Sequence, residues 1–404
     1  MRKKLIVGLC ACFILASGVV LANYDKIIER FGLGKGIDSA VQNGYIATPN
    51  LNYIDSNTIV TDEIKSVTLE NSNVKAKIED FLMDDLNIST HFRIEIDTKI
   101  NEIIDFDDLQ NVELKDLIIT DEKNRILYCM DKDALEKYCK KNDLDYKYGE
   151  FNENYYNCGL NNLILSHYEE DGAISFTYNM YSGDASFPKS KKLNFKFTEI
   201  QLETGNLIES EKSVIKIKGD WDVNLDVPKE MYNRKSIAYK VVSCEHPDFH
   251  VTNATLTNTG FEIGIIISNM ERPEQPQVLK DILLKWRKGE IDTDELNKKL
   301  DTEKELIEAS DQYYKARQPI AIVDWGNIEN ENIENVTYVE NEKGEKFDST
   351  MSPSRRQDAN FIEGNKFSFY ETFGLTTYTA TDKLKVRVLF KDKPYIIELE
   401  KVSN

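Results

Sequence analysis

Ser213-Val214-Ile215-Lys216-Ile217-Lys218-Gly219-Asp220-Trp221-Asp222-Val223-Asn224-Leu225-Asp226-Val227-Pro228 is the stretch that decides the fold. Ile215, Ile217, Trp221, Val223, Leu225 and Val227 fall on one side of an extended chain, with Gly219 in register and Lys, Asp or Asn between them. Side chains alternate across a strand, so this period of two buries one face and wets the other. Antiparallel sheets have that pattern. Working outward, Leu193, Phe195 and Phe197 alternate in the same way, and the phase then slips to Ile200 and Leu202, as a β-bulge produces. Phe92, Ile94 and Ile96 form another such set, as do Ile174, Phe176, Tyr178 and Met180.

A second series follows Pro228. Ile237, Tyr239 and Val241 predict one strand, and Phe261, Ile263, Ile265 and Ile267 another after an Asn258-Thr259-Gly260 turn. Leu384 to Phe390 and Tyr395 to Leu399 read as a terminal hairpin turning at Lys391-Asp392-Lys393. Two helical patterns interrupt the strands. A short helix, Ala134 to Lys141, sits in an insertion near 131–159. Val278, Ile282 and Trp286 recur every four residues, and Gly289 ends that helix. Asp292 with Glu295 then forms a capping box for a second helix reaching about Arg317, before Pro319. The pair predicts a helical hairpin over 278–317, packed on its own sheet or used to bind a partner.

The chain starts differently. Arg2, Lys3 and Lys4 precede an uncharged, predominantly apolar run from Leu5 to Ala22. At 1.5 Å per residue that run is about 27 Å long, close to a bilayer core. The expectation is a single-pass membrane anchor through residues 5–22, with residues 23–404 outside the cytoplasm; secretion after cleavage at Ala22 is the alternative. Cys10 and Cys12 lie mid-run and form no lipobox. Gly32, Gly34 and Gly36 lack a preceding strand and the Walker spacing, so residues 23–50 read as a flexible helical collar and not a phosphate loop, with a short helix from Ile37 to Asn43 that ends at Gly44.

Composition narrows the function classes. With 404 residues and 41% hydrophobic content, two packed domains are expected. The net charge is −19, and all the charge in positions 1–22 is positive, so the remainder is more acidic still. Such a surface repels nucleic acid. Four cysteines lie beyond the leader, Cys129, Cys139, Cys158 and Cys244. A Cys129–Cys139 or Cys139–Cys158 bridge is conceivable, but free thiols are the expectation from so sparse a set.

No specific catalytic pattern is present: there is no Gly-x-Ser-x-Gly elbow and no His-Glu-x-x-His. Cys244, His246 and His250 have soft and imidazole ligands at short spacing, yet Pro247 keeps both rings off one helix face. Asp84 with Asp85, and Asp105, Asp107 and Asp108, are acidic clusters of the kind used on sugars or calcium. Asp143-Leu144-Asp145 begins a calcium loop without completing it. Tyr155, Tyr156, Tyr313 and Tyr314 are candidates for an aromatic binding face. No catalytic, cofactor-binding or metal residue is therefore assigned, and no cofactor.

Three stretches carry a resemblance: Gly34 to Ile46 after the membrane run, Lys77 to Asp85 before an alternating strand, and Gly219-Asp220-Trp221. They resemble the bacterial domain of unknown function 4179, the ectodomain of anti-sigma-factor-like membrane proteins. The resemblance implies a non-enzymatic role in envelope sensing or binding, with an envelope protein or ligand as partner. Only Met1 to Lys4 precede the run, so no sigma-factor contact is expected from this chain. A wall-associated glycoside hydrolase with paired carboxylates and a self-assembling surface protein are the alternatives. The expected architecture is mainly β: a first domain over 51–227 and a second over 228–404. Both are antiparallel and sandwich-like (immunoglobulin-like), with helical insertions, and an N-terminal membrane helix precedes them.

Overall fold

The computed structural model describes residues 35–62, 67–96, 109–129, 132–144, 162–168, 173–181, 186–204, 213–317, 319–320, 333–349, 360–362 and 364–403. The apolar run 5–22, read from the sequence as a membrane anchor, and residues 23–34 lie outside them. Among the described residues, no helix is long and apolar enough to cross a membrane.

The chain is mainly β, built as two curled antiparallel sheets. The first holds β1 (Ile54–Asp62), β2 (Val67–Met83), β3 (Asn87–Ile96), β4 (Leu109–Lys115), β5 (Ile118–Asp121), β6 (Ile126–Cys129), β7 (Asn162–Tyr168), β8 (Ile174–Tyr181), β9 (Lys192–Thr204) and β10 (Ser213–Asp226). Their order is β6-β5-β9-β10-β1-β2-β3-β8-β7, with β4 also pairing β9. The second holds β11 (Ile237–Cys244), β12 (Phe249–Leu256), β13 (Phe261–Ile267), β14 (Tyr338–Asn341), β15 (Lys346–Phe347), β16 (Asn360–Ile362), β17 (Lys366–Phe373), β18 (Lys383–Phe390) and β19 (Lys393–Lys401). Their order is β15-β14-β18-β19-β11-β12-β13-β17-β16.

β10 keeps the face read from the sequence. Ile215, Ile217, Trp221, Val223 and Leu225 are buried in the first core, with Phe195, Phe197, Ile200 and Leu202 of β9 beside them. The expected phase slip is a register shift between Lys218 and Trp221. Gly219 is needed there, because a Cβ would come within 2.6 Å of the Trp221 ring and 2.7 Å of Ser56 Oγ. Trp221 stacks on Phe197 with centroids 5.0 Å apart.

The one-wet-face expectation fails on β3 and β8, toward the β7 edge of this sheet. On β8, Ile174, Phe176, Tyr178 and Met180 are buried, but so are Ser175, Thr177 and Asn179 between them. On β3, Ser89 and His91 are buried likewise. Both faces are covered there, with polar residues on the second.

The second sheet closes on Phe261, Ile263, Ile265, Phe367, Phe369, Val386, Val388, Ile397 and Leu399. The terminal hairpin turns through Lys391 (φ 49) and Asp392 (φ 63), the two positive angles of a type I′ turn.

The short helix expected before Gly44 is α1 (Lys35–Gln42), but it is docked and not part of a flexible collar, since it buries Ile37, Ala40 and Val41 in the first core. The amphipathic spacing of those three residues gives the helix one apolar stripe, and the stripe is docked. The insertion near 131–159 contributes α2 (Lys132–Asn142), and the four-residue α3 (Lys229–Tyr232) links the sheets. The hairpin over 278–317 is three helices, α4 (Gln277–Arg287), α5 (Thr293–Thr302) and α6 (Lys304–Arg317), because the backbone becomes extended at Glu303 (ψ 106).

Candidate functional site

Two places concentrate side-chain chemistry: the junction of the sheets, and the three-helix unit.

The junction is built from turns. Asp84, at the end of β2, is 1% exposed. Its Oδ1 accepts from the Leu86 N–H at 2.8 Å and the Asn87 N–H at 2.9 Å, which shapes the β2–β3 turn. Its Oδ2 accepts from the N–H (2.8 Å) and hydroxyl (2.6 Å) of Thr259, in the β12–β13 turn of the other sheet. Asn87 also donates its amide to the Thr259 hydroxyl. Asp85 accepts from Arg234 Nε at 2.7 Å, and that guanidinium donates onward to the carbonyls of Met231 (2.9 Å) and Phe187 (2.7 Å). A buried carboxylate and guanidinium are tolerated only with this degree of satisfaction. From α1, Ser39 hydrogen-bonds Thr376 at 3.1 Å, and Gly36 packs against the Thr259 carbonyl. Tyr45 donates to the Met83 carbonyl at 2.6 Å, and burial, together with the nearby Asp84 charge, holds its phenol well above the ordinary range. The two sheets are thereby held by buried, charge-assisted bonds.

The three-helix unit has its own small core of Leu279, Ile282, Leu296 and Leu306. The capping box is present, with Asp292 Oδ1 accepting from the Glu295 N–H at 2.7 Å. Gly289 takes φ 71 at the α4 C-terminus. Leu284 and Trp286 remain outside this core, 49% and 40% exposed, flanked by exposed Lys285, Arg287 and Lys288. The unit joins the second sheet at its root, where Lys315 meets Asp392 at 3.0 Å. A cleft of about 740 Å³ opens there, lined by Met270, Pro273, Ala316, Pro319 and the Lys315–Asp392 pair.

The other sequence candidates are dispersed. Asp84 and Asp85 are committed to the junction and do not face a cleft. Asp105, Asp107, Asp108, Asp145, Tyr155, Tyr156 and Cys158 lie outside the described residues, as does the side chain of Tyr314. Asp143 ends α2 with φ 53. Tyr313 packs within the helical unit, under Arg317 at 5.7 Å. His246 stacks on Phe249 with centroids 4.4 Å apart, and its Nδ1 accepts from the Asp248 N–H at 3.2 Å. That ring is an aromatic packing element, and His250 is exposed. Among the described residues, no group of three His, Cys, Asp or Glu is placed to hold a metal. Cys139 and Cys244 are free thiols, raised above the usual range by burial.

The sequence did not reveal one constellation. His91 Nδ1 lies 2.8 Å from Thr177 Oγ1, with Asp80 opposite His91 in register. Base, hydroxyl and carboxylate are the parts of a nucleophilic site. All three are at most 2% exposed, so substrate has no access to the hydroxyl. Only their strand registers bring these residues together, and no motif spacing reports that.

The fold and these sites define a two-sheet β protein carrying a projecting helical unit. Comparison with protein-family models, with curated proteins and with solved structures finds no match.

Proposed function

We propose that the chain is a membrane-anchored extracytoplasmic protein that works by contact and not by turnover, in envelope sensing or binding, and is similar to the ectodomains of anti-sigma-factor-like membrane proteins. One observation carries this reading: the three helices complete a core of their own and still present Leu284 and Trp286 to solvent. A unit that needed only local packing would turn those residues inward. The locked junction supports it too, since a rigid pair of sheets holds the helical unit at a fixed position. The leader at 1–22 supplies the address. The immunoglobulin-like description of each sheet is part of the same proposal, supported by antiparallel pairing throughout and by curling. Replacing 277–317 with a flexible linker is expected to leave the far-ultraviolet spectrum of the β units intact and to abolish capture of the partner after crosslinking in intact cells. Unchanged capture contradicts the assignment.

Self-assembly is a second reading with its own observation. β11 pairs β12 only at Ile237 and Ala238 and then pairs β19, which leaves its other edge open from Tyr239 among the described residues. Val241 and Val242 are exposed there, at 43% and 59%. Open edges recruit strands. Concentration-dependent sedimentation that Val242→Lys abolishes would favour this reading; a monomer at high concentration removes it.

A further inference from the structure

We propose that the cleft between α2 and the outer face of β9 and β10 binds a neutral saccharide. The cleft measures about 400 Å³, within the range of roughly 300–1,000 Å³ typical of small-molecule sites. Its floor holds the cross-strand pairs Lys196 opposite Asp222 and Asn194 opposite Asn224, together with Lys192, whose cross-strand partner Asp226 lies outside the lining. Lys196 meets Asp222 at 3.1 Å and Lys192 meets Asp226 at 3.5 Å, so the charges of the floor cancel locally. The Asn194 side-chain amide donates to Asp222 and, at 3.0 Å, to the side-chain Oδ1 of Asn224, whose own amide donates to Asp222 at 3.4 Å; among the described residues this leaves the Asn194 Oδ1 and one Asn224 N–H for a ligand.

One wall is α2, fixed on β5 and β6 by Ile118, Ile126, Ala134, Leu135 and Cys139. It contributes Tyr138, Lys141 and Asn142. The other wall is the β5–β6 turn, which Asp121 makes rigid. That carboxylate accepts from the N–H groups of Lys123 and Arg125, both at 2.9 Å, from Arg125 Nε at 2.6 Å and from Ser190 Oγ at 3.1 Å. Asn124 stands on this turn at φ 59 and lines the cleft, its backbone N–H donating to the Asp121 carbonyl at 3.0 Å. Tyr138 is half-buried against the α2 core and Lys141 is exposed beside it, and both line the cleft.

The chemistry selects the ligand. A carboxamide offers donors and an acceptor in one plane, and a sugar hydroxyl both gives and takes a hydrogen bond. Neutral groups pair with neutral hydroxyls without the desolvation cost of a charge. A locally cancelled floor gives an ion little advantage. The Tyr138 ring supplies the apolar surface that the C–H face of a pyranose needs.

Calorimetry of the full-length chain in detergent with chitotetraose and with cellotetraose tests this. Binding of either sugar is expected, weakened at least about tenfold by Asn194→Ala/Asn224→Ala and by Tyr138→Ala. Tyr138→Phe keeps the ring and is expected to stay within about threefold, and Leu284→Ala in the helical unit is expected to change nothing. That last arm separates this site from the proposed partner surface. Absence of binding at about 10 mM for both sugars, or binding that the cleft variants leave unchanged, overturns the proposal.

Discussion

Asp84→Ala at the junction is the most informative single perturbation. The carboxylate serves four donors in a site 1% exposed. Removing it strands the N–H groups of Leu86 and Asn87, at roughly 1–3 kcal/mol for each buried group left unsatisfied. Thr259 keeps a weaker acceptor for its N–H in Thr257 Oγ1, at 3.3 Å, and so loses less. The expected destabilisation is about 3–5 kcal/mol, a large part of the roughly 5–15 kcal/mol that a domain possesses. The part owed to contact between the sheets is isolated by a double-mutant cycle with Thr259→Ala. A hydrogen bond to a charged group contributes about 1.5–3 kcal/mol, so the coupling is expected near 2 kcal/mol. Urea unfolding followed by tryptophan fluorescence reads it, since Trp221 sits in the first core. Coupling below about 0.5 kcal/mol, the additivity limit for independent sites, refutes the claim that Asp84 ties the sheets together.

Gly36→Ala separates propensity from packing. Alanine favours a helix over glycine by about 1 kcal/mol, yet the new methyl would enter the Thr259 carbonyl, so thermal melts are expected to show net loss of about 1–3 kcal/mol. Tyr239 is pushed up to about 12 by burial and by the Asp382 and Glu342 charges, while it donates to the Thr381 carbonyl at 2.7 Å. Its folded value exceeds its unfolded value near 10, so its contribution is complete below about pH 10 and falls as pH climbs toward 12. Urea midpoints measured over that window are expected to decline less steeply in Tyr239→Phe. The buried Cys139 thiol, raised by desolvation, is expected to react with a disulfide reagent at neutral pH at least about tenfold more slowly in the folded chain than in urea; equal rates would contradict its burial.

The sequence reports a strand well where one face is apolar for many residues. β10, β9 with its phase slip, and the β18–β19 hairpin were all legible, because Ile, Val, Phe and Leu recur in their core positions; the extra residue of the bulge itself lies on β10, at Gly219-Asp220. Ser175, Thr177 and Asn179 were misleading for a physical reason: polar residues covered by other parts of the chain alternate just as solvated ones do. The break between α5 and α6 was invisible because Thr302, Glu303 and Lys304 are all acceptable in a helix, and only the turn of the backbone at Glu303 separates the two. Asn258-Thr259-Gly260 was recognisable as a turn. Its role as the acceptor's partner across the junction was not, since Asp84 is distant in sequence and only the packing of two sheets makes them neighbours. The lattice of amides above β9 and β10 was hidden likewise, its members reading one strand at a time as ordinary wet positions.

A photoreactive residue at position 284, in the full-length chain in intact cells, tests the contact role most directly. A discrete adduct is expected from that position, and none from the same residue at Lys218 on the first sheet. Equal yields from the two positions, or no adduct from either, would contradict a contact surface on the helical unit.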